Sequence, residues 1–213
     1  MEKRYYDSDP KSEYGHISMN HFKVNPNPNT KFWVADDFYE DPLAIRDFAL
    51  SQYYHDDEGY LGIRTRKQFF FEGVKEKIEQ IMNKTIVKWE EYGMCGRFQS
   101  SKAGIASVYH SDSQEYAAAI YLTPDAPIEA GTCFYMHKES KLRGGEKNED
   151  WSRAFNQHTF VDSTPYVKVD EVGNIFNRIV IWDAQLIHAA PVYFGWDIPS
   201  SRLFQLFFFD AGK

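Results

Sequence analysis

The stretch SVYHSDSQEYAAAIYLTP, residues 107–124, decides how this chain is read. It sets His110 and Asp112 either side of a serine at the end of one apolar run and opens another at once. Side chains alternate along a strand, so His110 and Asp112 project to one face while Ser111 points away. A metal on that face could take one nitrogen and one oxygen from a single rigid element.

Around this stretch, from Met94 onward, the chain is a series of short runs rich in aromatic and β-branched residues. They are MCGRFQS, IASVYHSD, YAAAIYLTP, GTCFYMH, FNRIVIWD, AAPVYFG and RLFQLFFFD. Upstream, a strand at 31–35 is followed by EDPLAIRDFALSQYY, where Asp41 can cap a helix and Pro42 suits its first turn. Leu43, Ile45, Phe48 and Ala49 supply that helix with an apolar stripe, and Val74, Ile78, Ile81 and Met82 mark a second helix at about 72–83. Several short strands after two helices predict a mainly β fold with supporting helices, an antiparallel sandwich or jelly roll.

The chain of 213 residues is long enough for one well-buried core. Residues 1–30 are polar, end in NPNPNT and read as an N-terminal arm, leaving 31–213 as a single domain. A charged stretch at about 138–174, containing KLRGGEKNEDW, is too long for a hairpin connection; it reads as an insertion or lid, with its own helix at 149–157. Aromatics make up 17% of the chain, enough both to fill a sheet-on-sheet core and to line a cleft.

A formal charge of −7 offers no broad cationic surface for phosphates, which disfavours nucleic acid as a partner. The basic N-terminal residues lead into no apolar segment, and no run approaches the ~18 apolar residues of a membrane span. These features predict a cytoplasmic protein without a membrane partner. Two cysteines, Cys95 and Cys133, make no disulfide framework and read as reduced packing residues.

A histidine two before an acid occurs three times: His55 with Asp57, His110 with Asp112, and His137 with Glu139. His55 sits in the polar HDDEG and His137 opens the charged stretch, so both read as surface residues. His110 and Asp112 instead close one apolar run and precede another. A remote histidine, His188, lies between two apolar runs in IVIWDAQLIHAAPVYF and is a candidate third ligand. Two imidazoles and one carboxylate on one face of an octahedral ion leave three positions open, the ligand set of non-haem Fe(II) oxygenases, whereas structural zinc closes its shell.

Arg202 heads the apolar run RLFQLFFFD. A cation there costs desolvation unless an anion meets it, and its guanidinium can fork onto a carboxylate of a co-substrate. The plainer alternative is a strand-end arginine paired with Asp or Glu.

At this point the chain resembles the Fe(II)- and 2-oxoglutarate-dependent dioxygenase superfamily, within it the prolyl 4-hydroxylase-like branch, over roughly residues 31–210. VADDFYEDPLAIRDFA resembles the branch's opening strand and helix, GIRTRKQF its Arg-Thr stretch and YHSD its His-x-Asp strand end. IYLTPDAPIEAGTCFY is similar to its Tyr-Leu-Asn and Gly-Gly-x-Thr-x-Phe segments, and NRIVIWDAQLIHAAPVYFG to the strand pair with the distal histidine. The resemblance implies a double-stranded β-helix (jelly roll, cupin-like) core, with His110, Asp112 and His188 as catalytic iron ligands. It implies Arg202 and Tyr121 as partners of the distal 2-oxoglutarate carboxylate. Fe(II), 2-oxoglutarate and O2 would be the cofactors, and succinate and CO2 products.

By the same resemblance, the substrate is a prolyl or other amino-acid residue in a peptide, or a small molecule. The chain departs from the pattern in two places: WDIPSS lengthens the path from His188 to Arg202, and Phe204 stands where some relatives carry serine. Two other readings stay open: a jelly-roll ligand-binding module without catalysis, and a cupin-like metalloenzyme that uses His137 as a further ligand and no 2-oxoglutarate. Trp182 and Tyr135 read as core or pocket wall, Tyr109 as facing away from the metal, and Arg97 and Gln99 as within reach of the cleft.

Overall fold

In the computed structural model the described residues are 31–56, 62–144 and 160–212. The expected arm at 1–30 and the expected helix at 149–157 lie outside them. The order of elements is β1 (Phe32–Ala35), α1 (Pro42–Leu50), β2 (Tyr54–Asp56), β3 (Ile63–Thr65), α2 (Val74–Met82), β4 (Ile86–Lys88), β5 (Arg97–Ser101) and β6 (Tyr116–Tyr121). There follow β7 (Thr132–His137), β8 (Tyr166–Val172), β9 (Ile179–Asp183), β10 (His188–Ala189) and β11 (Arg202–Ala211).

Both helices form for the reasons their sequences give. The Asp41 side chain accepts from the Ala44 N–H at 3.0 Å and Pro42 occupies the first turn of α1. Along α2, Val74, Ile78 and Met82 recur every fourth residue and are all buried. Asn83 ends α2 in the left-handed conformation, φ 52°, which its short amide side chain tolerates.

The strands make two antiparallel sheets. The larger runs β1-β9-β6-β11-β5-β3-β2, with β4 also paired to β11, and the smaller runs β10-β7-β8. Period-two alternation divides the large sheet's side chains between two cores. One face, with Ala118, Ile120, Ile179, Ile181, Leu203, Phe207 and Phe209, packs against Val74, Ile78 and Met82 of α2 and Ala49 of α1. The opposite face, with Ala117, Ala119, Tyr121, Val180, Trp182 and Phe204, meets Phe134 of β7 and Val172 of β8. Each fully buried Phe or Ile contributes on the order of 1.5–3 kcal/mol, so these two layers hold the sheets together face to face. The result is the predicted jelly roll with helices on one flank.

The structure departs from the sequence reading in several places. Of AAPVYFG only Ala189 joins a strand, β10, since Pro191 just beyond it has no N–H to donate to a ladder. IASVYHSD is irregular except at His110, which makes a single bridge to His188. The short strands β2, β3 and β4, three residues each, were not foreseen. The stretch expected as an insertion supplies β8, the outer strand of the small sheet, where Lys168, Asp170 and Glu171 blunt the edge against further pairing.

Candidate active site

The small sheet's opening brings the triad together. His110 and His188 exchange backbone bonds, His110 N to His188 O at 3.2 Å and His188 N to His110 O at 2.8 Å, and the Asp112 N–H donates to Ala184 O at 2.8 Å. Three backbone bonds therefore fix both ends of the cluster before any side chain acts. Asp112 Oδ1 lies 3.6 Å from His110 Nε2 and its Oδ2 lies 3.4 Å from His188 Nε2. One donor atom from each residue falls within 4.8 Å of the other two. Corners of an octahedral face with bonds near 2.1 Å are about 3 Å apart, so a small inward movement of side chains closes the set on one ion.

The imidazoles are prepared for that role. His110 Nδ1 is 3.1 Å from Val108 O and His188 Nδ1 is 2.8 Å from Leu186 O. A carbonyl can only accept, so each Nδ1 carries the proton and each Nε2 presents a lone pair towards Asp112. Burial holds the His188 imidazolium well below the ordinary range, with the charge of His110 acting in the same direction. Burial also raises the Asp112 carboxyl, against the opposing pull of His110. A divalent cation would relieve the desolvated carboxylate and find the imidazole neutral.

Trp182 stands edge to face with His188, ring centroids 5.1 Å apart, and with Phe134, the register partner of His188, at 6.3 Å. On the inner face of β6, Ala117 pairs with Trp182 and Ala119 with Val180, while Tyr121 lies opposite Phe204 of β11. Ala117 and Ala119 thus set two successive methyl groups on this face, a small-residue lane spanning about 13 Å of strand between the triad end and Tyr121.

Arg202 closes the far end. It is 4% exposed, donates Nε–H to Ala130 O at 2.8 Å and Nη2–H to Gly131 O at 3.1 Å, and lies near the Tyr121 hydroxyl. That hydroxyl is 2.8 Å from Thr132 Oγ1. Among the described residues no carboxylate pairs with Arg202, so the strand-end ion pair considered from sequence is absent there. Its guanidinium instead lies over the rings of Phe204, 4.4 Å from the centroid, and Tyr121, 5.3 Å away. Phe204 thus supports the arginine by a cation–π contact where some relatives have a hydroxyl. The WDIPSS segment is a turn closed on itself, with Ser200 N–H donating to Asp197 Oδ1 at 2.9 Å and Ser201 N–H to Asp197 O at 3.0 Å. It lengthens the path without moving Arg202 from the head of β11.

Gly131 permits this arrangement. A Cβ there would stand 1.8 Å from Val172 O and 2.9 Å from Asn174 N, so only glycine lets the carbonyl that receives Arg202 approach β8 this closely. Thr132, Phe204 and the two alanines were missed as site residues; in strands, small and hydroxyl side chains carry no signal until register places them on one face.

His137 takes no part. It lies across from Tyr166 at the end of β7, its ring edge-on to that tyrosine at 5.9 Å and its Nδ1 2.9 Å from Ser140 Oγ. It shares the outer face of the small sheet with Tyr135 and Cys133, opposite Phe134, which removes the basis for a four-ligand cupin site. Tyr109 stacks on Tyr166 at 5.3 Å on that outer face, away from the cluster as expected, although its segment is not a strand.

Two facing antiparallel sheets with a His-x-Asp…His cluster at their mouth define a double-stranded β-helix with a candidate metal centre. The chain belongs to the family of unknown function DUF6445, whose profile matches residues 17–198. No curated protein matches the chain by sequence. Among solved structures the chain is similar to HygX from Streptomyces hygroscopicus with nickel and 2-oxoglutarate bound. The TM-score is 0.57 and the identity 12%, over 85% of this chain and 83% of that one. HygX with nickel, 2-oxoglutarate and hygromycin B bound gives 0.56 and 11%, over 85% and 83%. The non-haem alpha-ketoglutarate-dependent epimerase SnoN from nogalamycin biosynthesis gives 0.50 and 11%, over 84% and 78%. The likeness is one of fold. Among the described residues no helix is long and apolar enough to cross a membrane.

Proposed function

We propose that this protein is an Fe(II)- and 2-oxoglutarate-dependent oxygenase that hydroxylates a small molecule or an amino-acid residue, releasing succinate and CO2. The observation that carries the proposal is the pairing of two features across one barrel. A half-shell of His110, Asp112 and His188 stands at one end of the alanine lane, and a buried arginine without a carboxylate partner among the described residues stands at the other. A diacid with a 2-oxo group at one end matches both. The donor set fits iron, because imidazole and carboxylate with open positions suit Fe(II), and both Nε2 lone pairs already face Asp112.

Bound there, Fe(II), 2-oxoglutarate and O2 would supply the oxidising chemistry, one oxygen atom going to succinate and the other to a substrate C–H bond. The chain's own share is placement. His110, Asp112 and His188 would hold the ion by one face, which keeps the opposite face for co-substrate and oxygen. Arg202 and the Tyr121 and Thr132 hydroxyls would receive the distal carboxylate by charge-assisted hydrogen bonds. Trp182, Phe134, Val180, Leu206 and Phe204 form an apolar wall that excludes water from the lane. HygX holds hygromycin B in one of its structures, which supports a small-molecule substrate here as well.

The test is anaerobic addition of Fe(II) and 2-oxoglutarate to the purified protein, followed by O2. A weak visible charge-transfer band and then stoichiometric succinate are expected. A protein that binds iron yet gives neither band nor succinate, with candidate substrates present, is a ligand-binding module instead.

A further inference from the structure

The indole N–H of Trp182 is the one polar group beside the triad that the described protein leaves unsatisfied. Trp182 is 4% exposed, and its Nε1 is buried with no hydrogen-bond partner. A buried donor without an acceptor is costly, and native structures keep one mainly where a ligand or water completes it. Its position narrows what that acceptor can be. The ring touches His188 edge to face and lies on the inner face of β9, against Ala117 at the triad end of the lane. Its ring contact Phe134 and its register partner Phe32 on β1 are apolar and offer no acceptor.

We infer that Trp182 is a co-substrate-binding residue, donating its indole N–H to the carboxylate of 2-oxoglutarate that would chelate the metal, the end opposite Arg202. The inference rests on the proposed function and adds a recognition point to it. The fold holds the two carboxylates apart by using unlike partners. The distal one meets a full charge at Arg202, whereas the proximal one, already shared with a cation, needs only a neutral donor. A second arginine beside His188 would repel the metal, and an indole N–H adds direction without charge. Phenylalanine could fill the same space but could not make the bond.

The test uses the whole protein with Zn(II) or Mn(II), so that binding is read without turnover. The indole 15N–1H resonances of the five tryptophans are recorded with Zn(II), the Trp182 signal being assigned by its loss in Trp182→Phe. Adding 2-oxoglutarate should move the Trp182 signal downfield, as a new hydrogen bond requires. In parallel, calorimetry with Mn(II) should show 2-oxoglutarate bound roughly 10- to 100-fold more weakly by Trp182→Phe, with metal affinity unchanged. Saturable 2-oxoglutarate binding that leaves the Trp182 resonance in place overturns the inference and spares the proposed function. A resonance that moves with metal alone, and no further, also overturns it. If 2-oxoglutarate does not bind the metal-loaded protein at all, both readings fall together.

Discussion

His110 and His188 are each other's backbone partners, with N–H to O distances of 3.2 and 2.8 Å and ring centroids 4.3 Å apart. The sheet therefore sets the separation of the two imidazoles, and Asp112, tied to Ala184 O, completes the cluster.

Asp112 should make the metal-free and metal-loaded proteins respond oppositely to substitution. Burial raises its carboxyl above the ordinary value, so its favourable contribution is complete only below the unfolded pKa and is lost as pH rises through the folded one. Without metal, Asp112→Asn should raise Tm at pH 7, and the gain should vanish in strong acid. With saturating Zn(II) the order should reverse, because the wild type alone gains about 2.7 kcal/mol at a hundredfold excess over Kd. Melts of both proteins with and without Zn(II) decide it, and equal metal shifts in the two would remove Asp112 from the ligand set.

Arg202 should not be replaceable by lysine. Its guanidinium serves Ala130 O and Gly131 O while stacked on Phe204, which a single ammonium cannot reproduce. Arg202→Ala should weaken 2-oxoglutarate binding by about 2–5 kcal/mol in the Mn(II)-loaded protein, and Arg202→Lys should recover little of it. Titration calorimetry reads the effect; full affinity in the lysine variant would mean that charge alone anchors the ligand.

The alanine lane can be blocked without touching the metal. Ala119 is 2% exposed, paired with Val180 on one side and Leu206 on the other. Ala119→Leu should fill the lane, abolish 2-oxoglutarate binding and leave metal affinity intact, at an overpacking cost of about 1–3 kcal/mol. Retained 2-oxoglutarate affinity in a folded variant would place the co-substrate elsewhere.

His137→Ala should leave metal affinity within about twofold of wild type, since the ring lies with Tyr166 and Ser140 on the outer face of the small sheet. A tenfold loss, measured by competition with a chromogenic chelator, would restore the cupin-like alternative.

The parts legible in the sequence were those written in local chemistry. Asp41 and Pro42 announced α1, the four-residue spacing of Val74, Ile78 and Met82 announced α2, and HSD ending an apolar run marked two of the three members of the cluster. The parts that were not legible depend on partners distant in sequence. β8 looks charged because it is an edge strand, and the path from Pro191 to Ser201 looks like a strand followed by an insertion although it is loop and turn. Trp182 could be read as a wall residue, but its unsatisfied N–H appears only when every neighbour is in place.

Residue types and spacing by themselves determined that this chain would fold as strands flanked by two helices, because alternation along a strand and the helical repeat are properties of the backbone; His110 and Asp112 meet in the cluster although the run that carries them is irregular beyond one bridge. Tertiary structure alone decided that His188 joins them, that Ala117 and Ala119 line the face between the cluster and Arg202, and that His137 is turned away. Those outcomes rest on register between strands far apart in sequence, and a shift of one residue in any pairing would have sent each side chain to the opposite face.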